Sequence, residues 1–237
     1  ELHDNSLEQR FFDALLTETE LAAKSLDERR TLSTIFIGGG TPSLVNIERL
    51  EQWVTRLKKY FDFDDKLEFS LESNPESITL ENLEQFKQLG INRPVFGIQS
   101  FNKNLLASLD RQHHPHDSQL DIYYANALGF TNFGVDIVFG LPRQTSRMMS
   151  DDIEQIIYLD PPHISFYQLT VEQGTPLAEK VKRGDTRMPD QELCLAMYRG
   201  GCERLTEAGY FRYEVSSLAK PGFECRHNLG YWQGSEY

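Results

Sequence analysis

The sequence predicts an α/β fold built on a parallel sheet, and three observations carry that expectation. Short apolar, β-branched runs alternate with stretches of helical periodicity. Five such runs follow one another, and no repeat, low-complexity tract or Pro/Ser-rich linker divides the 237 residues. Alternation of this kind demands right-handed crossovers and hence parallel strands, arranged either as an open doubly wound sheet or as a closed or partial barrel.

The elements follow in order. Residues 6–25 place Phe11, Leu15, Leu16, Leu21 and Ala22 on one helical face. A short strand over 34–37 runs into Gly38, Gly39 and Gly40, and Pro42 and Ser43 give a turn. Ile47, Leu50, Val54, Leu57 and Tyr60 then mark a second amphipathic helix, and "LEFSL" at 67–71 reads as strand. A helix near 79–89 closes at Gly90, a strand covers 94–98, and helices near 102–109 and 117–128 precede Gly129. A strand over 133–139, a helix near 149–158 and the strand "HISFYQL" from His163 complete the alternation. Beyond them, a long helix from about 190 to 208 ends at Gly209, "FRYEVSSLA" reads as another strand, and a polar tail rich in aromatics remains.

The net charge is −12, with acids and bases interspersed, which argues against a nucleic-acid duplex or an anionic membrane as partner. No apolar stretch reaches the roughly 18 residues of a spanning helix. The opening "ELHDNSLEQR" lacks the pattern of a signal peptide, so a cytoplasmic protein is expected. Cys194, Cys202 and Cys225 are too few and too far apart for a disulfide framework, and they form no CxxC or CxxxCxxC set. No metal site is therefore expected from this chain. The first residue is not Met and both ends stop in mid-pattern, which suggests a fragment.

The strand ends carry the functional signal. The first ends in Gly38, Gly39, Gly40 and Thr41, the second in Glu72 and the third in Gln99; Asp136 lies in the fourth, and the fifth closes at Thr170. In parallel α/β architectures the carboxyl ends of the strands converge on the ligand site. Plainer readings stand beside this one. The glycines also suit turn punctuation, Glu72 a cap for the next element, and Gln99 a core amide satisfied by backbone. Asp136, between Val135 and "IVFG", needs a ligand or a positive partner. Neither GxGxxG nor GK[ST] is present, so no phosphate fingerprint is met.

"TIFIGGGTPSL", "LESNP", "GIQSFN", "VDIVFGLPRQT", "PPHISFYQLTVE" and "CRHNLGYW" occur in that order. Together they resemble the oxygen-independent coproporphyrinogen III oxidase-like radical S-adenosylmethionine proteins. The closing "HNLGYW" is similar to the HNxxYW signature of their HemW-type haem-chaperone branch. The resemblance implies a partial TIM-type (β/α)6 barrel, here missing its first strand, with a helix-strand extension at the C-terminal end. One domain over 1–237 follows, with the barrel core at about 1–185 and the extension at about 186–237.

The resemblance also implies the ligands. S-adenosylmethionine falls to Gly39, Gly40 and Thr41 by backbone at its methionyl amine, and to the side chains of Glu72, Gln99, Arg111 and Asp136. Thr170 matches a contact that backbone can make. Haem falls to His227, Asn228, Tyr231 and Trp232, although these residues equally suit a surface-loop histidine and two core aromatics. His113, His114 and His116 read as solvated, one of them matching a family histidine.

Relatives place CxxxCxxC just before the point where this chain begins, so the [4Fe–4S] cluster has its ligands outside the chain. The implied partners are haem and haem-accepting respiratory proteins, some met transiently at a membrane, and no nucleic acid. Two other readings are carried forward: an oxygen-independent coproporphyrinogen III oxidase, and a barrel enzyme using Glu72 and Asp136 as acid and base. Pro94 departs from the pattern and is expected at a strand's first residue or at a barrel edge.

Overall fold

The computed structural model describes residues 4–236. Five strands, β1 (Thr31–Ile37), β2 (Asp62–Ser73), β3 (Arg93–Gln99), β4 (Gly134–Phe139) and β5 (His163–Gln168), lie side by side in chain order, each parallel to the next. The sheet curls into a half-barrel, as expected of a partial (β/α) barrel. Helix α1 (Asn5–Lys24) precedes β1, and α2 (Ile47–Tyr60), α3 (Leu80–Gln88), α4 (Lys103–Ser108), α5 (Pro115–Ala127) and α6 (Ser146–Leu159) connect the strands. Two further helices, α7 (Pro176–Lys182) and α8 (Gln191–Glu207), follow β5.

Alternation along the strands gives the sheet two unlike faces. Ile35, Phe69, Leu71, Phe96, Ile98, Val135, Ile137, Ile164 and Phe166 point to the helices and join Leu50, Leu83, Phe86, Ile153 and Leu205 in the core. Full burial of such a side chain stabilises the fold by about 1.5–3 kcal/mol. With the core on the convex side, the concave side can be polar: Glu72, Arg93, Asp136, His163, Ser165 and Tyr167 face inward.

Several expectations need correction. Strands β1 and β2 begin at Thr31 and Asp62 because their first residues still pair, Thr31 with Asp62 and Leu32 with Phe63, before a register shift ahead of Thr34. Hydrophobic periodicity does not register pairing of that kind. "FRYEVSSLA" is not one strand. It divides into β6 (Phe211–Arg212) and β7 (Ser217–Ala219), which pair antiparallel, with the Tyr213 N–H donating to the Ser217 carbonyl at 3.2 Å. Strand β7 also pairs antiparallel with β5. Helix α7 buries none of its residues and so leaves no apolar stripe to read. The polar tail is a helix, α9 (Arg226–Gln233), closed by Gly234 at φ +68°. Pro94 is the second residue of β3, between β2 and β4, not at an edge. Asn92 supplies side-chain bonds to the Phe69 N–H and the Leu67 carbonyl just before it.

Candidate functional site

The triple glycine is more than a turn. A Cβ at Gly38 would come within 3.0 Å of both the Glu72 carboxylate and the Phe36 ring. Gly39 has φ +110°, which L side chains rarely adopt, and its N–H donates to Glu72 Oε2 at 3.2 Å. Over Gly39 and Gly40 nothing lies within 4 Å of a built Cβ, so their backbone faces open space. Thr41 Oγ1 accepts from Asn74 Nδ2 at 3.2 Å. Glu72 therefore serves the glycine loop, and the next helix takes its cap from Thr79. Burial pushes the Glu72 carboxyl up, against the pull of the Gly39 N–H.

Gln99, at the end of β3, is buried and has φ +68°. A non-glycine residue held there by its surroundings is a frequent mark of a ligand site. It is not a backbone-satisfied core amide: its Oε1 accepts from the Tyr167 hydroxyl at 3.4 Å. Asp136 faces the same interior, where burial pushes its carboxyl up to about 6; the Ser165 hydrogen bond and the Arg93 charge oppose this shift and the Glu72 charge adds to it. Among the described residues no cation comes within ion-pair distance of Glu72 or Asp136, although the Arg93 charge reaches Asp136.

Arg111 does not line this interior; its guanidinium meets Glu76 Oε1 at 3.4 Å. Glu76 also takes the Nδ1 of His113 at 2.7 Å, and that contact, ahead of the Arg111 charge, draws its carboxyl down to about 2. His113 is thus buried, not solvated, its Nε2 lying 3.2 Å from the Ile98 carbonyl oxygen. His114 caps α5 and, like His116, is not buried. Thr170 is exposed two residues beyond β5 and stays outside the group.

Helix α9 sits at the open side of the half-barrel. Glu68, on β2, accepts from the backbone N–H groups of Arg226 and His227 at 3.0 Å each and from the Cys225 thiol at 3.4 Å. A carboxylate at a helix N-terminus meets both the unpaired amides and the positive end of the dipole. His227 Nδ1 lies 2.8 Å from Thr34 Oγ1, and its ring stacks on Phe36 with centroids 5.2 Å apart and meets Tyr231 edge-on at 5.1 Å. Burial lowers the His227 pKa, which favours the neutral imidazole. Asn228 Nδ2 donates to Ser217 Oγ at 3.4 Å. His227 is therefore no surface-loop residue. Tyr231 and Trp232, 57 % and 60 % exposed, are not core anchors.

One cavity of about 440 Å³ joins part of the two sets: Glu72 and Asp136 line it together with His227, Asn228 and Tyr231, whereas Gly39, Gly40, Thr41 and Gln99 do not. Trp232 is not in the lining. Arg93, His163, Ser165 and Tyr167 also line it, and the sequence reading passed over them. The signal was available, because alternation puts Arg93 on the face of Gln99 and His163 on the face of Tyr167.

The residues present fit S-adenosylmethionine, with two carboxylates that no cation contacts within ion-pair distance and open glycine backbone to receive a ligand that carries an ammonium, a sulfonium and ribose hydroxyls. They do not fit a [4Fe–4S] cluster. Among the described residues no three His, Cys, Asp or Glu side chains are placed to hold a metal, and the three thiols are free and scattered.

A half-barrel of parallel strands presenting glycine backbone and carboxylates at their carboxyl ends defines the class. The radical SAM superfamily matches residues 9–156, and the chain belongs to that superfamily, whose members use S-adenosylmethionine and a [4Fe–4S] cluster. Within it the chain is similar to curated haem chaperones named HemW. It is 40% identical over 210 residues to that of Haemophilus influenzae, covering 89% of this chain and 54% of the relative. It is 38% identical over 228 residues to that of Mycobacterium tuberculosis, covering 96% and 58%. The chain thus spans somewhat over half the length of these relatives. Among solved structures it matches coproporphyrinogen III oxidase (HemN) of Escherichia coli, described as a radical SAM enzyme, with a TM-score of 0.82, 25% identity, and coverage of 96% of this chain and 51% of that one. The Elp3 protein of Methanocaldococcus infernus, at TM-score 0.64, 18% identity, and coverage of 84% and 52%, shares the fold. No helix among the described residues is long and apolar enough to cross a membrane.

Proposed function

We propose that the chain is the barrel portion of a haem chaperone that binds haem beside S-adenosylmethionine and passes the haem to haem-requiring respiratory proteins. The observation that carries this reading is the seat of α9. A histidine oriented through Nδ1 and packed between Phe36 and Tyr231 would offer Nε2 to the haem iron, with an aromatic ring at hand for the macrocycle. The names of the relatives support the same reading. Three free thiols suit a reducing compartment, and we place the activity in the cytoplasm.

Gly39, Gly40, Glu72, Gln99 and Asp136 would hold S-adenosylmethionine by its cationic and ribose ends. Arg111 at the rim, and Thr41 and Thr170 beyond it, would complete the set. When bound, the cofactor supplies a sulfonium-activated alkyl group.

The direct test is transfer. The full-length protein loaded with haem and mixed with an apo respiratory cytochrome is expected to hand over its Soret absorbance. The likeness to coproporphyrinogen III oxidase favours a second reading as a decarboxylase. Conversion of coproporphyrinogen III by the complete protein, without haem transfer, establishes it in place of the first.

A pH dependence follows from Asp136. Its carboxyl is raised from 3.8 to about 6, so it is charged above pH 6 and neutral below. Affinity for the cationic S-adenosylmethionine is expected to weaken roughly tenfold between pH 7 and pH 5, and the Asp136→Asn variant to flatten the curve. A flat profile in the parent protein removes Asp136 from the cofactor set and leaves the acid-base reading of Glu72 and Asp136 in its place.

A further inference from the structure

Two buried polar side chains in the cavity each keep a nitrogen that is used neither by the fold nor by the functions proposed above. Arg93, on β3, is 1 % exposed, and its Nε has no hydrogen-bond partner. Among the described residues no carboxylate comes within ion-pair distance of it. Of the nearby acids, Glu68 accepts the amides of α9, Glu72 accepts that of Gly39, and Asp136 feels the Arg93 charge without coming within ion-pair distance. A guanidinium cannot shed its charge to escape burial, so one balanced only at a distance is costly. It lines the cavity, where a ligand can reach it.

The second is His163, on β5, which is 2 % exposed and whose Nδ1 has no partner. Its Nε2 lies 2.8 Å from the Tyr213 hydroxyl. That oxygen accepts from the Cys225 N–H at 3.3 Å and is also approached by Asn228 and Ser217. With its lone pairs so occupied, the hydroxyl gives its own proton to Nε2. In a neutral imidazole the remaining hydrogen then sits on Nδ1, which becomes a donor directed into the cavity. Burial and the Arg93 charge both keep this ring neutral.

The two donors converge. A Cβ built on Gly134 of β4 would lie 3.4 Å from an Arg93 terminal nitrogen and 3.4 Å from His163 Nδ1. Val95 Cγ1 lies 3.5 Å from the same point, so the gap above Gly134 is about the size of a methyl group and both donors border it. We propose that Arg93 and His163 form a buried seat for one carboxylate group of a ligand held in the cavity. The planar guanidinium fork matches a carboxylate bidentately, and the imidazole N–H adds a third bond. A carboxylate fits better than a phosphate because the single charge of Arg93 balances one negative charge, while Asp136 and Glu72 in the same lining oppose a second. Both haem and S-adenosylmethionine carry carboxylates, and the seat is defined by that shared group.

The test uses the full-length protein with sodium propionate as probe, propionamide and inorganic phosphate as comparisons, and the ring ¹⁵N shift of His163 as readout. Propionate is expected to move the His163 signal saturably, with propionamide and phosphate at least about tenfold weaker. Gly134→Ala fills the gap with a methyl that makes only ordinary contacts, and it is expected to weaken propionate at least about tenfold. Arg93→Lys keeps the charge without the fork and is expected to do the same. No response to propionate, tighter binding of phosphate, or undiminished binding in the folded variants overturns the proposal.

A second arm compares haem with its dimethyl ester, and this arm alone rests on the haem reading. A penalty for the ester that vanishes in Gly134→Ala supports the seat and identifies the tetrapyrrole side chain as its occupant. Equal binding of the two, with propionate still bound, supports the seat for a different carboxylate ligand and counts against haem only.

Discussion

His227→Ala is expected to weaken haem binding at least about tenfold, about 1.4 kcal/mol, and to change the Soret band of whatever haem still binds. The ring is fixed on three sides: by Thr34 Oγ1 at Nδ1, by the Phe36 face, and by the edge-on Tyr231. A ligand oriented in this way binds a metal without first losing rotamer freedom, and its partner at the far nitrogen sets which nitrogen holds the lone pair. Thr34→Val tests that second point, because it removes the partner and keeps the shape. It is expected to shift the spectrum and lower affinity by less than the loss of the imidazole. Trp232→Ala, on an exposed side chain outside the cavity lining, is the control and is expected to change the titration little. A His227→Ala titration superimposable on the parent would move the haem ligand to another residue.

The parallel half-barrel was legible because it is driven by burial. Each inner strand carries apolar residues at every second position toward the helices, and α2, α3 and α6 carry a stripe back toward the sheet, so periodicity records the packing there; in α1 the face read from the sequence is instead exposed at Phe11 and Leu21. The polar strand ends were legible for a related reason: Glu72, Gln99 and Asp136 interrupt apolar runs where a polar group needs a purpose. The extension was harder to read. Strands β6 and β7 are two and three residues long, β7 held by pairing with β5 and β6 by pairing with β7, so their existence depends on a neighbour distant in sequence. Helix α9 buries no residue completely, which erases its periodicity.

His113 misled for the opposite reason. Its surroundings in sequence, "RQHHPH", are polar, but Glu76 and the Ile98 carbonyl provide for both ring nitrogens inside the fold. Glu68 was missed too, because nothing in "KLEFS" separates a solvated strand carboxylate from one that accepts a helix end 157 to 159 residues away.

That distant contact sets the second large effect. Glu68→Ala is expected to release α9 from the half-barrel and, with it, to cost as much haem affinity as the loss of His227 itself. The helix has no cap of its own, since Cys225 at its N-cap makes no side-chain capping bond. Glu68 replaces that cap from the neighbouring strand, taking two helix amides and a thiol while only 5 % exposed. Hydrogen bonds to a charged acceptor contribute about 1.5–3 kcal/mol each. Hydrogen-exchange protection at the Arg226 and His227 amides is accordingly expected to fall by about ten- to a hundredfold. Glu68→Gln keeps an acceptor but turns an amide N–H toward donors, and it is expected to fall between the parent and the alanine variant. S-adenosylmethionine binding is expected to survive both changes, because the glycine loop is braced by Glu72 and not by Glu68. If exchange at α9 and haem binding stay at parent levels in Glu68→Ala, the helix is held by its aromatic contacts with Phe36 and not by its cap.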